Sequence, residues 1–472
     1  MLLVLATACD VAPNVPATSS TSPARTTTPL VAAGFDGTAA HRHLQYLADP
    51  ARNGRLTGSP GYQDAATYVA DRFREIGLEP AGDNGTFFQH FPLKVPHLTA
   101  NPSLTISGSP ATTFRLRADF AELVGALRGG GEVEAPLVYV GGAAEAPSYS
   151  DFTPVDVRGK VVLVAGPMFG DPAENAIRHG AKAVLFVARD SAGPLIRYSE
   201  LVDIAADAVP TLLVTEPVAD RLVASSGRRI ADLRAELERE PILSARKPLS
   251  FDTGVRVRVS VPIAPASDFD AMNVLGILRP LAASDKVLLV GGHLDGVGTD
   301  PDGTVYPAAN DNASGPAVTI EIARALAPQR ARLRHSVLFV AWAGEEQGLQ
   351  GSTAFLSRAA GTVFATGNLL SYINLDIVGC CGETLGASAE NPSLYGLIHD
   401  AAKKQQVTLG VTRGSSDHEN FNRIGIPAAI VAWSPTGPIH TTADTVAGVD
   451  TPHLQMVGVV TIQAVLDLAG NG

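Results

Sequence analysis

From residue 272 onward the sequence alternates two textures. Continuous apolar runs at 286–291 (KVLLVG), 336–342 (SVLFVAW), 369–375 (LLSYINL) and 428–433 (AAIVAW) are separated by stretches with helical spacing at 314–327, 351–358, 391–405 and 451–468. A strand that is apolar on both faces must be covered on both faces, and alternation with helices supplies that cover. The pattern therefore predicts an α/β fold with a mixed, mostly parallel central sheet flanked by helices. In open sheets of this kind a site forms outside the carboxyl ends of the strands.

Chemistry-bearing residues collect at those ends. The segments are GGHLDG (291–296), AANDNASG (308–315), WAGEEQGLQGS (342–352), NLD (374–376) and HTTADT (440–445). Each has an ordinary reading when taken singly. His293 would be a structural imidazole, Asp311 an Asx-turn or N-cap residue ahead of a helix at Ser314, and Asp376 a strand-end cap. Glu345-Glu346 would be a polar loop. The set in this order points instead to metal. Zinc takes imidazole and carboxylate ligands and, when catalytic, keeps a position for water. A two-metal hydrolase needs one bridging carboxylate, about five ligands in all, and a further carboxylate free as base. His293, Asp311, Glu346, Asp376 and His440 make up the ligand count, with Glu345 left over. Two Zn2+ are the expected cofactors, although cobalt or manganese would accept the same donors. Neighbouring side chains at a strand-to-loop transition diverge, so Glu346 can face metal while Glu345 faces the reacting water. Asp295 is placed to orient His293, and Asp444 to orient His440 or the backbone nearby.

The rest of the chain is organised around this region. Helical spacing covers 40–48 and 61–76, with Gly77 as C-cap. Short apolar strands follow at 135–140, 160–165, 183–187 and 209–214, with a helix at 173–180 feeding the third and Gly129 to Gly131 as a linker into the block. The expected division is 1–36 leader and tether, 37–128 first part of the catalytic domain, 129–250 an inserted module, and 251–472 the remainder. A length of 472 residues fits two or three units, and 45% hydrophobic residues suffice for large cores. A formal net charge of -11 argues against a nucleic-acid partner. Three cysteines exclude a disulfide scaffold. Cys380 and Cys381 are expected as free or partner-linked thiols, because a bridge between adjacent cysteines is strained. No apolar run is long enough to span a bilayer. The apolar start, ending ATAC at Ala6 to Cys9, resembles a bacterial lipoprotein cleavage site, and 13–29 has the composition of a disordered tether. The expectation is export, with the protein lipid-anchored at Cys9 or secreted, and membrane contact only through that anchor.

From about His41 to the C-terminus the pattern resembles the co-catalytic dizinc aminopeptidases of the bacterial secreted and yeast vacuolar type. The segments VRGKVVLV, AIRHGAKAVLFV and VPTLLV resemble the protease-associated domain, a small β-rich module inserted into several exopeptidases. The resemblance implies the zinc exopeptidase fold, with His293 and Asp376 on one ion, Glu346 and His440 on the other, Asp311 bridging, and Glu345 as general base. It implies peptides with a free N-terminus as substrates and places Ser416-Asp417-His418 near the substrate. Some relatives carry an oxyanion-stabilising Tyr where this chain has Arg413, so Arg413 or His418 would donate instead, or rate and preference would differ. Ile439, before the last ligand, leans towards aminopeptidase. A carboxypeptidase or dipeptidase on the same scaffold would need arginines such as Arg413 and Arg423 to converge on a substrate carboxylate. A non-catalytic surface receptor would be expected to have lost ligands.

Overall fold

The computed structural model describes residues 34–166, 170–189, 195–197, 204–240 and 242–470. Cys9 and the tether at 13–29 lie outside the described residues.

The middle of the central sheet is parallel. Strand Val287–His293 lies between Ser336–Trp342 and Leu369–Leu375, and the last of these pairs with Ala428–Ser434. Antiparallel strands flank this core: Ile263–Leu278 runs along Ser336–Trp342, and Thr384–Ala387 along Ala428–Ser434. The mixed sheet is the one the apolar runs predict, and every residue of Val287–His293 and Ser336–Trp342 is buried. Because side chains alternate across a strand, Leu288, Val290, Val337, Phe339 and Ala341 enter one core. Leu289, Leu338, Val340 and Trp342 enter the other.

The first core is covered by Gly37–Leu47, Pro60–Ile76, Ser314–Leu326, Pro392–Lys404 and Thr451–Ala469. Gln350–Arg358 and His418–Arg423 cover the second, through Phe355 and Phe421. Burying each such Phe or Leu side chain contributes about 2 kcal/mol. The helix ends are chemically specified. Asp36 accepts from the Thr38 and Ala39 amides, Ser59 accepts from Tyr62, and Gly77 closes its helix at φ 86°. Thr451–Ala469 has the length and mean hydropathy (1.2) of a membrane span, but Leu454, Val457, Val460 and Val465 pack it into the first core.

The second sheet has the expected strands, and the structure pairs them in parallel. Gly131–Val140, Val161–Val164, Ala183–Val187 and Val209–Val214 lie side by side, with helix Pro172–Arg178 leading into the third. It also draws on both flanks of the block, since Ser250–Val261 pairs with Gly131–Val140 and with Ser103–Ile106. The glycines at 129–131 do not form a linker. Gly129 pairs with Pro210, and a Cβ there would come 2.8 Å from the Ala208 methyl; Gly131 opens a strand. Their small size serves close strand approach rather than flexibility. Helices Glu216–Val223 and Ile230–Glu238 are too short for periodicity to reveal. The two sheets are joined by a ribbon in which Phe88–Leu98 pairs antiparallel with Ile263–Leu278, from Phe88 opposite Val274 to Leu98 opposite Ile263. The chain leaves the central sheet along one strand and returns along the other.

Candidate metal centre

All six singled-out residues meet beyond the carboxyl ends of the parallel strands. His293 ends the strand Val287–His293, Asp376 follows Leu369–Leu375, and Glu345 and Glu346 lie just past Ser336–Trp342. The register sets His293 opposite Trp342 and Gly291 opposite Asn374, which brings the three strand ends level. Asp311 and Asn312 have irregular backbone angles ahead of helix Ser314–Leu326, and the peptide between them is cis. His440 sits in a loop with φ 55°.

Asp311 is central. Its Oδ1 lies 3.3 Å from His293 Nε2 and its Oδ2 lies 3.2 Å from His440 Nε2. His293 Nε2 is also 3.4 Å from Asp376 Oδ1, and His440 Nε2 is 3.1 Å from Glu346 Oε1. Two triads result, His293–Asp311–Asp376 and Asp311–Glu346–His440, and in each the donor atoms fall within 4.8 Å of one another. They share one carboxylate. Glu345 Oε2 stands 3.9 Å from His293 Nε2; it lies outside those two triads and forms a third close group with His293 and Glu346. The donors suit zinc. His293 Nε2 and Asp376 Oδ1 are buried and without a hydrogen bond, which costs about 1–3 kcal/mol for each group unless a cation accepts both lone pairs.

Electrostatics agree. Burial disfavours a charged His293, yet the Glu345 and Asp376 carboxylates outweigh it and hold the imidazole well above its usual range. Burial likewise opposes a charged His440, and Glu346 and Asp311 outweigh it. Burial would raise Asp311, but the two imidazoles facing its oxygens keep it low. Burial pushes Glu345 well above the ordinary carboxylate range; Glu346, Asp376 and Asp417 add to this and His293 opposes it. A half-buried carboxyl of perturbed pKa beside a cation site is a general-base candidate.

The supporting carboxylates act on backbone. His293 Nδ1 is 3.2 Å from the Asp295 carbonyl, whereas the Asp295 carboxylate is 3.6 Å away and instead accepts from the Glu345 and Glu346 amides at 3.3 and 3.2 Å. Asp444 accepts from the Asn310 and Asp311 amides at 2.7 and 3.0 Å, and burial pushes its carboxyl up to about 6. The capping role weighed for Asp311 belongs to Asn312, whose Oδ1 accepts from the Gly315 amide. Ser416, Asp417 and His418 are buried. Asn374 donates to Ser416 and Ser352 donates to Asp417, so this loop braces the strand that carries Asp376. Arg413 is exposed. Tyr372 is core, bonded to Trp342 and Asn374.

Three features escape sequence reasoning. Cys380 and Cys381 form a disulfide, contrary to the expectation of thiols; Cys381 takes φ 75° and Gly437, which has no side chain, leaves room for the sulfurs. The second-sheet unit reaches the centre, where the Arg197 amide donates to the His440 carbonyl at 3.0 Å, and Arg117 bonds both Asp300 and Glu122 at 2.7 Å. The third is Arg55, in a segment (RNGRLTGSPG) that reads as turn chemistry. It is fully buried and donates to four backbone carbonyls around the site. The signal in hindsight is an arginine with no acidic neighbour in a glycine-rich turn.

Fold and site together define a zinc-exopeptidase-type α/β domain carrying an inserted protease-associated domain. Residues 273–465 match Peptidase family M28 and residues 133–222 match the PA domain, so the chain contains an M28 peptidase domain preceded by a PA domain. Aminopeptidase YwaD of Bacillus subtilis (strain 168) is 25% identical over 337 residues, 67% of this chain and 64% of that protein. A probable zinc metalloprotease of Leptosphaeria maculans is 36% identical over 146 residues, 29% of this chain and 32% of that protein. The chain thus spans less than two thirds of each of these curated relatives. Among solved structures, an aminopeptidase from Aneurinibacillus sp. strain AM-1 shares the fold, with TM-score 0.69 and 24% identity over 93% of this chain and 95% of that one.

Proposed function

We propose that the protein is a zinc-dependent aminopeptidase that hydrolyses the N-terminal residue from peptides. The observation that carries this reading is the pair of triads sharing Asp311, whose two oxygens face His293 and His440 separately. His293 and Asp376 would hold one zinc ion, Glu346 and His440 the other, and Asp311 both. When bound, two zinc ions lower the pKa of water and polarise the scissile carbonyl. Glu345, half-buried and facing His293, takes the proton from the attacking water and passes it to the leaving amine. Asp295 and Asp444 hold the backbone of the Glu345–Glu346 and Asp311 loops, so the donor set is pre-organised. The free α-amine of the substrate is attracted to a site dense in carboxylates.

The carboxypeptidase reading has less support. Arg423 is engaged by Asn420 and Glu419, and Arg413 is exposed. Relatives named as aminopeptidases favour the amino-terminal choice. Export with a lipid at Cys9 remains part of the proposal on the strength of ATAC at Ala6 to Cys9; mass spectrometry of the N-terminal peptide from membranes checks it.

The deciding experiment is turnover of a panel of aminoacyl-p-nitroanilides beside N-blocked and C-terminal-reporter peptides, with and without chelator, on protein assayed for zinc. Chelator-sensitive cleavage that requires a free α-amine, with about two zinc ions per chain, is expected. Cleavage confined to the N-blocked or C-terminal reporters would replace the aminopeptidase reading with a carboxypeptidase one.

A further inference from the structure

Arg55 is the least ordinary buried group outside the two triads. It has no solvent exposure, and no carboxylate oxygen is among its hydrogen-bond partners. A buried guanidinium is costly unless its donors are satisfied. Here Nε donates to Leu294 O at 2.8 Å, Nη1 to Leu47 O and Pro307 O at 2.8 and 3.0 Å, and Nη2 to Ala308 O at 2.8 Å. Leu294 follows His293 directly, and Pro307-Ala308 leads into the loop of Asp311. One rigid fork thus spans two ligand-bearing loops. Burial lowers the guanidinium to about 10 while the charges of Asp444, Asp295 and Asp311 oppose that fall, so it remains a cation at neutral pH.

The neighbouring backbone and side chains extend the same contact. The Gly296 amide donates to Arg55 O at 3.3 Å and the Gly298 amide to Gly54 O at 3.2 Å. A Cβ on Gly54 would lie 2.4 Å from the carbonyls of Gly298 and Tyr306, so only glycine lets the segment approach, and its φ of 65° suits glycine as well. Two residues on, Thr57 Oγ1 accepts from the Gly344 amide at 2.8 Å, directly before Glu345 and Glu346. Thr57 is itself buried.

We propose that the Arg55–Thr57 segment is a positioning element of the metal centre: Arg55 fixes the His293 loop relative to the Asp311 loop, and Thr57 fixes the loop of Glu345 and Glu346. These residues touch neither substrate nor donor atoms and act through the loops they hold. The proposal rests on the aminopeptidase reading for its kinetic half, while its metal-binding half stands on the triads alone. The segment is more than two hundred residues from the ligands in sequence.

The test uses the full chain, stripped of metal and titrated with Zn2+ against a competing chelator, together with kcat and KM on an aminoacyl-p-nitroanilide. Arg55→Lys keeps the charge but loses the fork. It is expected to weaken zinc binding about tenfold or more. Thr57→Val keeps shape and fold while removing the acceptor. It is expected to lower kcat about tenfold with KM changed less than about twofold, and Thr57→Ser to restore kcat. A merely structural role would lower the melting temperature but leave zinc affinity and kcat of the folded protein unchanged. Wild-type zinc affinity in Arg55→Lys overturns the assignment for Arg55, and wild-type kcat in Thr57→Val overturns that for Thr57. If the unmutated protein binds zinc but cleaves no aminoacyl anilide, the aminopeptidase reading fails by itself, and the zinc titration of Arg55→Lys still decides the positioning role.

Discussion

Glu345 and Glu346 are adjacent in sequence yet face different tasks. Glu346 Oε1 meets His440 at 3.1 Å, whereas Glu345 stands 3.9 Å from His293 outside both triads. Glu345→Ala is therefore expected to retain zinc and lose about 10²–10⁴ in kcat, while His293→Ala or Asp376→Ala loses zinc together with turnover; metal analysis beside kinetics separates the two classes. Full activity in Glu345→Ala would remove it as the base. The imidazoles carry a second expectation. Burial favours their neutral forms, but the surrounding carboxylates win, so both are held protonated in metal-free protein. A ligand imidazole must be neutral, so zinc uptake releases protons and apparent affinity climbs as pH rises through the raised imidazole range. Calorimetry in buffers of differing ionisation enthalpy measures that release; uptake with no proton exchange would contradict the assigned ligands. At this scale the donor set was legible because metal chemistry restricts residue types. Arg55 was not, because its partners are backbone carbonyls, which any sequence provides.

Elements bring these residues together through close packing at glycine. A Cβ at Gly292 or at Gly315 would lie 2.1 Å from the carbonyl of Leu375, the residue before Asp376. The same carbonyl accepts from Asn312 Nδ2 at 2.9 Å. The His293 strand, the helix after Asp311 and the Asp376 strand thus converge on one oxygen. Gly292→Ala is expected to push the strand ends apart and cost about 1–3 kcal/mol with loss of zinc; an unchanged melting temperature and zinc content would show that the strands can yield. Strand and helix existence was legible at this scale, since continuous apolar runs and 3.6-residue spacing are local properties. The disulfide between Cys380 and Cys381 was not. Its fit depends on the backbone angle at Cys381 and on Gly437, which the chain brings there from over fifty residues away.

On the scale of the whole molecule, the unit built on the second sheet leans on the metal centre. Arg117 binds Asp300 and Glu122, and both carboxylates are almost wholly buried. Arg117→Ala leaves two buried acids without that cation and is expected to cost about 3 kcal/mol, read as a lower urea midpoint of unfolding; a change under about 0.5 kcal/mol would mark the pair as an incidental surface contact. The Arg197 amide on the His440 carbonyl makes the same junction at the ligand loop. By itself the sequence determined the α/β architecture, the resemblance of 129–250 to an inserted module, and the residue types able to hold metal. These follow from periodicity and ligand chemistry, which are written locally. Only the tertiary structure decided that Asp311 faces both imidazoles, that Asp295 and Asp444 hold backbone rather than rings, and that a turn near residue 55 and a loop of the second-sheet unit close around the site. Those relations are distances between segments far apart in the chain, and a distance exists only once the chain has packed.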